Sequence, residues 1–144
     1  MAGELVRTGQ VGLGAWGANL VRNVDELSQL AWICDASPER RDLFARRFPN
    51  ARPTASFEEL LADDSVEAVV IATPVPTHHA LAKQALEAGK HVFVEKPPAM
   101  RAGEMEELVA LADSRGLVLM PGHLLLYHPG VRKLKELIDS GELG

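Results

Sequence analysis

Glu95-Lys96-Pro97 follows directly on the apolar run Val92-Phe93-Val94, which reads as a buried strand. A lysine at a strand end, flanked by an acid and a rigid imino acid, can hold its ammonium at a fixed height above a ligand. The competing reading is a surface lysine whose stem lies beside the sheet while its charge stays in water. Two other strand ends carry polar or rigid residues: Thr73-Pro74-Val75-Pro76-Thr77-His78 after Val70-Ile71-Ala72, and Pro121-Gly122-His123 after Leu119-Met120. In an open α/β sheet, ligands sit beyond the carboxyl ends of the strands, so these three turns are expected to share one cleft. Pro74 and Pro76 hold the first turn extended before Thr77, whose hydroxyl is a candidate helix N-cap. His78 can face a ligand as a neutral donor, whereas His79 and His91 read as surface or packing residues.

Gly12-Leu13-Gly14-Ala15-Trp16-Gly17 fits G-x-G-x-x-G between a strand candidate and an amphipathic helix. Gly12 permits a tight turn, Gly14 lets a pyrophosphate approach the backbone, and Gly17 lets the helix pack closely on the strand. Free N–H groups at the helix start then bind the anion. The helix dipole adds only about 0.3–1 kcal/mol, so hydrogen bonds and adenosine burial must supply most of the affinity. A chain with 12 glycines can reach this spacing by chance. Asp35, 18 residues after Gly17 at the end of the second strand candidate, makes chance the poorer account, because a carboxylate there accepts hydrogen bonds from the adenine-ribose hydroxyls. NAD is therefore expected over NADP, whose 2′-phosphate would meet a like charge. Arg40 and Arg41 lie near enough to soften that penalty, although a solvated helix face is the more ordinary place for each.

The elements that must position these residues alternate along the chain. Strand candidates fall at roughly 5–11, 30–35, 51–54, 66–72, 91–94 and 117–120, with helical spacing between most of them. This order predicts an α/β fold, a doubly wound parallel sheet of Rossmann type. Trp16, Leu20, Val24 and Leu27 recur at helical steps and are expected to pack on the sheet. The apolar runs around Val66–Ala72 and Val92–Val94 are expected to be buried on both faces. Ser37-Pro38-Glu39 reads as a cap followed by a first helical turn, and Gly89 and Gly116 read as helix stops. Arg7-Thr8-Gly9-Gln10 is more polar than a central strand tolerates. The pattern changes beyond about residue 121. Residues 1–122 are thus expected to form a dinucleotide-binding domain, and 123–144 a connecting segment with a helix.

At 144 residues, 47% hydrophobic and 24% charged, the chain reads as one globular domain with a real core. Its 20 acidic and 15 basic residues, net −5, count against nucleic acid as a partner. Cys34 is the only cysteine, which excludes an intramolecular disulfide and a metal site built on paired cysteines; no metal is expected. No apolar run approaches the roughly 20 residues of a membrane span. Met1-Ala2-Gly3-Glu4 lacks the basic and apolar regions of a secretory signal, so a cytoplasmic location away from membranes is expected.

The glycine motif, Thr73-Pro74, His78, Ala88-Gly89-Lys90-His91-Val92 and Glu95-Lys96-Pro97 together resemble the Gfo/Idh/MocA oxidoreductases, across essentially the whole chain. The ending, from Gly122-His123 to Ser140-Gly141-Glu142-Leu143-Gly144, is also similar. The resemblance implies an NAD(P)-dependent dehydrogenase or reductase for sugars, polyols or nucleotide-linked sugars. Hydride would pass between a substrate carbinol carbon and nicotinamide C4. Lys96 matches the family's active-site lysine, which would hydrogen-bond the reacting hydroxyl and help to move its proton, a role worth about 10²–10⁴-fold. The Gly12–Gly17 turn, Asp35, Thr73, Pro74, His78, Glu95 and Lys96 would line the cofactor.

His123, Tyr127 and His128 lie in a stretch similar to the segment that leads into the family's substrate domain, most like members acting on nucleotide-activated amino sugars. They are candidates for substrate contact, and an apolar run beside an aromatic residue serves equally as a domain contact. Family members continue into an α+β domain that binds substrate, supplies a second catalytic histidine or aspartate and often builds the oligomer. The resemblance therefore implies a cofactor-binding portion with little turnover by itself. A different class stays open: a non-enzymatic dinucleotide-binding or sensing module that acts through a partner protein at Leu124, Leu125 and Leu126. Pro98, Pro121 and the polar first strand depart from the family pattern.

Overall fold

The computed structural model describes residues 5–143, so Met1-Ala2-Gly3-Glu4 and Gly144 lie outside the described residues. Strands β1 (Arg7–Val11), β2 (Gln29–Cys34), β3 (Arg52–Thr54), β4 (Ala68–Ile71), β5 (His91–Val94) and β6 (Leu119–Pro121) form one sheet in the order β3-β2-β1-β4-β5-β6. Every neighbouring pair is parallel. Helices α1 (Gly17–Leu27), α2 (Pro38–Arg47), α3 (Phe57–Leu61), α4 (His78–Glu87) and α5 (Ala102–Arg115) connect the strands, and α6 (Pro129–Asp139) follows β6. This is the doubly wound Rossmann-type sheet that the alternation predicts, with strand ends displaced by one or two residues. Ser37 caps α2 by accepting the Arg40 N–H at 3.2 Å. Gly89 and Gly116, both at positive φ, end α4 and α5 as read from sequence.

Two cores hold the layers together. On one face Leu60 of α3, Ala82, Ala85 and Leu86 of α4, and Leu108 and Ala112 of α5 bury Val69, Ile71, Val92 and Val94. On the other, Val21 of α1 and Phe44 of α2, with Phe48 just beyond it, pack on Leu30 and Ile33 of β2. The second core covers only part of its face. Phe93 is consequently half-buried, which corrects the expectation that β5 is interior on both sides.

The expected face of α1 is also corrected. Gly17 and Val21 are buried, with Val24 packed beside them, whereas Leu27 is 77% exposed and Trp16 is 50% exposed. The cause lies at the helix start, where a side chain on Gly17 would strike the Gly12 carbonyl. That backbone contact turns the line Gly17, Val21, Val24 inward and swings Trp16 out toward the strand ends. Leu20, Val24 and Leu27 line an open groove with Val70 and Phe93.

The polar first strand has a specific explanation. Gln10 is fully buried beneath the glycine turn, and its Nε2 donates to the Gly12 carbonyl at 3.1 Å and the Gly17 carbonyl at 2.8 Å. Thr8 shares a 2.8 Å hydrogen bond with the Ser28 hydroxyl. Among the described residues no helix is long and apolar enough to cross a membrane.

Asp63 fastens β2 to the loop before β4, accepting the Trp32 indole N–H at 2.8 Å and the Ser65 N–H at 2.9 Å. The Ser65 hydroxyl foremost, then the Trp32 indole, hold its carboxyl down at about 2. A folded pKa below the unfolded one means that this stabilisation is complete above the ordinary carboxylate range and is lost as pH falls toward about 2. Asp63→Asn should therefore flatten the acid side of the stability profile, read from urea unfolding followed by tryptophan emission. Gly17→Ala should lose about 1–3 kcal/mol in the same measurement at neutral pH, since the added methyl meets backbone that has to move.

Candidate cofactor and active site

The carboxyl ends of β1, β2 and β4 enclose a cavity of about 560 Å³ whose walls include Gly12, Gly14, Ala15, Asp35, Arg40 and Thr73. Gly12 takes a φ of 92°, donates its N–H to the Cys34 carbonyl at 2.8 Å and lies so close to the Ala72 carbonyl that no side chain fits. A Cβ on Gly14 would meet only Arg40 Nη1, at 3.5 Å, so the turn is open on the cavity side. This is a cradle of backbone into which an anion fits.

Asp35 is buried, as its place at the end of β2 demands, and is already engaged. Its Oδ2 accepts the Leu13 N–H at 2.7 Å, and its Oδ1 accepts the Ser37 N–H at 2.9 Å. The carboxylate therefore braces the glycine turn as well as facing the cavity. Arg40 approaches Asp35 Oδ2 to 3.8 Å with 53% of its side chain exposed. Arg41 is not a solvated helix residue: its Nη1 donates to the Asp35 carbonyl at 2.7 Å and the Ala36 carbonyl at 3.0 Å. Leu13 corrects the reading of the whole turn as cofactor-lining, because its side chain is buried in the core under α1 and α2 and its N–H is spent on Asp35.

Lys96 stands where the turns after β4, β5 and β6 converge, as expected. It borders a cavity of about 410 Å³ with Trp16, Thr73, His78, Glu95 and Leu124. It also borders a second, of about 420 Å³, with Pro97, Pro98, Gly122, His123 and Leu124. Lys96 is exposed, and its ammonium has no hydrogen-bond partner among the described residues. Glu95 beside it is buried; its Oε1 accepts the Trp16 indole N–H at 2.7 Å and its Oε2 accepts the Lys96 backbone N–H at 3.2 Å.

His78 does not face the cavity as a free donor. It is 1% exposed, with Nδ1 at 2.8 Å from the Pro97 carbonyl and Nε2 at 2.7 Å from the Thr73 carbonyl. The ring is a strut between the turns that flank Lys96. The turn after β4 is itself corrected. Pro74 is extended, but Val75–Thr77 form a 3₁₀ turn that runs into α4 and accommodates Pro76, whose missing N–H is not needed there. Thr77 is thereby drawn into helical geometry, and its hydroxyl donates back to the Pro74 carbonyl at 2.7 Å instead of capping α4.

Among the substrate candidates, His123 lines the second cavity. Tyr127 and His128 line neither. His128 Nδ1 accepts the Gly130 N–H at 3.1 Å at the start of α6, and Arg132 sits 5.7 Å above the Tyr127 ring. Both side chains are exposed and make these local contacts at the α6 corner. Sequence reasoning missed the Trp16–Glu95 bond and the support from Gln10. The second had a visible signal, a buried amide in the strand that leads into the glycine turn.

The family model for oxidoreductases of the Gfo/Idh/MocA type, with an NAD-binding Rossmann fold, matches residues 6–123. The chain belongs to this family. It is 37% identical over 136 residues to a UDP-N-acetylglucosamine 3-dehydrogenase of Acidithiobacillus ferrooxidans, covering 91% of this chain and 41% of that protein. The structure of a 3-ketoreductase from Actinomadura kijaniata, solved with NADP and TDP-benzene, superposes with a TM-score of 0.89 at 30% identity over 98% of this chain and 44% of that one. GenD2 from gentamicin A biosynthesis, solved in complex with NAD, gives a TM-score of 0.83 at 37% identity over 88% of this chain and 36% of that one. The chain spans about two fifths of the length of the curated relatives it matches.

Cys34 lines the larger cavity but is buried, and burial followed by the neighbouring Asp35 charge pushes its thiol up to about 11. The folded protein should therefore react far more slowly with a thiol reagent at mildly alkaline pH than the urea-unfolded chain, as timed by absorbance.

Proposed function

We propose that this chain is the NAD(P)-binding portion of an oxidoreductase that moves hydride between a nicotinamide cofactor and the hydroxyl or carbonyl carbon of a sugar, polyol or nucleotide-linked sugar. The observation that carries this reading is Lys96, whose ammonium has no partner among the described residues, at a strand end beside a glycine turn whose backbone is open to an anion. The bound nicotinamide would supply the hydride chemistry. The chain's own residues would do the rest. Backbone N–H groups of the Gly14–Gly17 stretch would bind the pyrophosphate, and Asp35 would take the adenine-ribose hydroxyls with its remaining lone pairs. Lys96 would hold the oxygen of the reacting carbon and give or take its proton. Relatives named for nucleotide-linked sugars support that substrate class.

The cavities at Lys96 are open on the side of Leu124, Leu125 and Leu126, all exposed, and α6 presents Val131, Leu134 and Ile138 on one uncovered face. These surfaces support a reading in which substrate is presented by a further unit, and in which this chain alone binds cofactor with little or no turnover. They also favour, as a second reading, a binding module that works through a partner.

Thermal melting with NADH and NADPH titrated separately tests the proposal. A ligand bound only by the folded state should stabilise by about 2.7 kcal/mol at 100 times its dissociation constant. NADH is expected to give the larger shift because of Asp35. No shift with either cofactor would refute the function, and a larger shift with NADPH would refute only the role given to Asp35.

A further inference from the structure

Trp16, with Ala72 and Thr73, forms the wall shared by the two cavities at the strand ends, one containing Asp35 and Arg40, the other Lys96 and His78. Its backbone belongs to the glycine turn, yet its indole leaves that turn to donate to Glu95 Oε1 at 2.7 Å. Glu95 has little freedom to yield. It is 7% exposed, its other oxygen accepts the Lys96 N–H at 3.2 Å, and Gly122 sits so close behind that a Cβ there would stand 3.1–3.2 Å from the carboxylate. One wedged carboxylate thus joins the glycine turn, the Lys96 turn and the β6 turn. A charge-assisted bond of this kind is among the stronger single contacts in a protein.

We propose that Trp16 is a positioning residue for Lys96: the Trp16–Glu95 bond couples occupation of the glycine turn to the placement of the nicotinamide half of the site. The inference rests on the cofactor reading above. A dinucleotide that spans both cavities has to pass the indole, whose orientation is set by Glu95. A ligand confined to the adenosine side uses the turn without needing the bond. Glu95 is accordingly a link in the site's frame rather than a group that touches the reacting atoms.

Dissociation constants for NADH and for ADP-ribose, which lacks the nicotinamide, test this on the 144-residue chain by calorimetry. Trp16→Phe keeps an aromatic wall and removes the donor; Glu95→Gln keeps the shape and removes the charge. Each should lower the ratio of NADH to ADP-ribose affinity, Trp16→Phe by about tenfold. The loss from Trp16→Phe should shrink in the Glu95→Gln background, the sign of a direct coupling. Equal losses for the two ligands would overturn the proposal, because a merely local role in the turn weakens both alike. So would additive losses in the double variant. Circular dichroism melts identify a variant that fails to fold, and the other then decides by its affinity ratio. If the unmodified chain binds ADP-ribose but the ratio does not move, only the coupling falls. If it binds neither ligand, the cofactor reading falls and the coupling with it.

Discussion

No methyl group fits between Gly17 and the carbonyl of Gly12, and this contact sets the angle at which α1 leaves the sheet. The turn is held there from three directions. Gln10 reaches up from β1 to the carbonyls of Gly12 and Gly17, Asp35 takes the Leu13 N–H from the end of β2, and the Gly12 N–H is fixed to Cys34. With these groups committed inward, the backbone past Gly14 is what remains to face the cavity. A polar residue in a central strand costs stability unless it is satisfied, and Gln10 Oε1 is buried with no partner among the described residues, so the support comes with a local cost. Gln10 is polar because it serves the turn above it, whereas Thr8 serves the opposite end of the strand through Ser28.

Strand order extends this constraint to Lys96. The chain moves outward from β1 through β2 to β3, then returns to the other side of β1 with β4, which opens a crevice between diverging connections. The carboxyl ends of β4, β5 and β6 border that crevice, and their turns need to be held at one level. Two contacts do so. His78 links the Thr73 and Pro97 carbonyls across the turns after β4 and β5. Glu95 links the Lys96 turn to the indole of the glycine turn. The ammonium of Lys96 has no partner among the described residues while the backbone that carries it is tied on two sides, an arrangement that favours precise placement of a mobile charge.

The sheet and the ligand crevice are legible in the sequence because their signals are short-range: apolar strand runs, glycines at stops and turns, a proline after a cap. Asp35 and the Glu95-Lys96 strand end are legible for the same reason, since strand ends define where ligands sit. What the residues do to one another across the crevice is not. Trp16 recurs with Leu20 and Val24 at helical steps, so its spacing alone does not separate a packing residue from one turned toward Glu95, 79 positions away. His78 and Thr77 read as a donor and a cap from local grammar, whereas their real partners follow from the 3₁₀ turn that Pro76 permits and from the later Pro97 turn. Tyr127 and His128 carry chemistry in their side chains, but one ring face and one ring nitrogen are engaged locally at the start of α6, away from the cavities at Lys96.

Cofactor selection in this frame comes down to a small difference. Asp35 is buried and braced by two backbone N–H groups, so its charge is fixed at the end of β2, where the proposed reading puts the ribose, and is costly to move. Arg40, 3.8 Å from it, is half exposed, and an ion pair of that kind contributes only about 0–1 kcal/mol. The guanidinium can therefore leave Asp35 for a 2′-phosphate at little cost, and there it would form a charge-assisted contact with a group that Asp35 repels. The two effects oppose each other at one place on the ligand. Asp35 acts from a fixed position at short range, and Arg40 acts from a flexible one with water competing for its donors. The fixed group would favour NAD in the proposed binding mode, and the flexible one would keep NADP within reach.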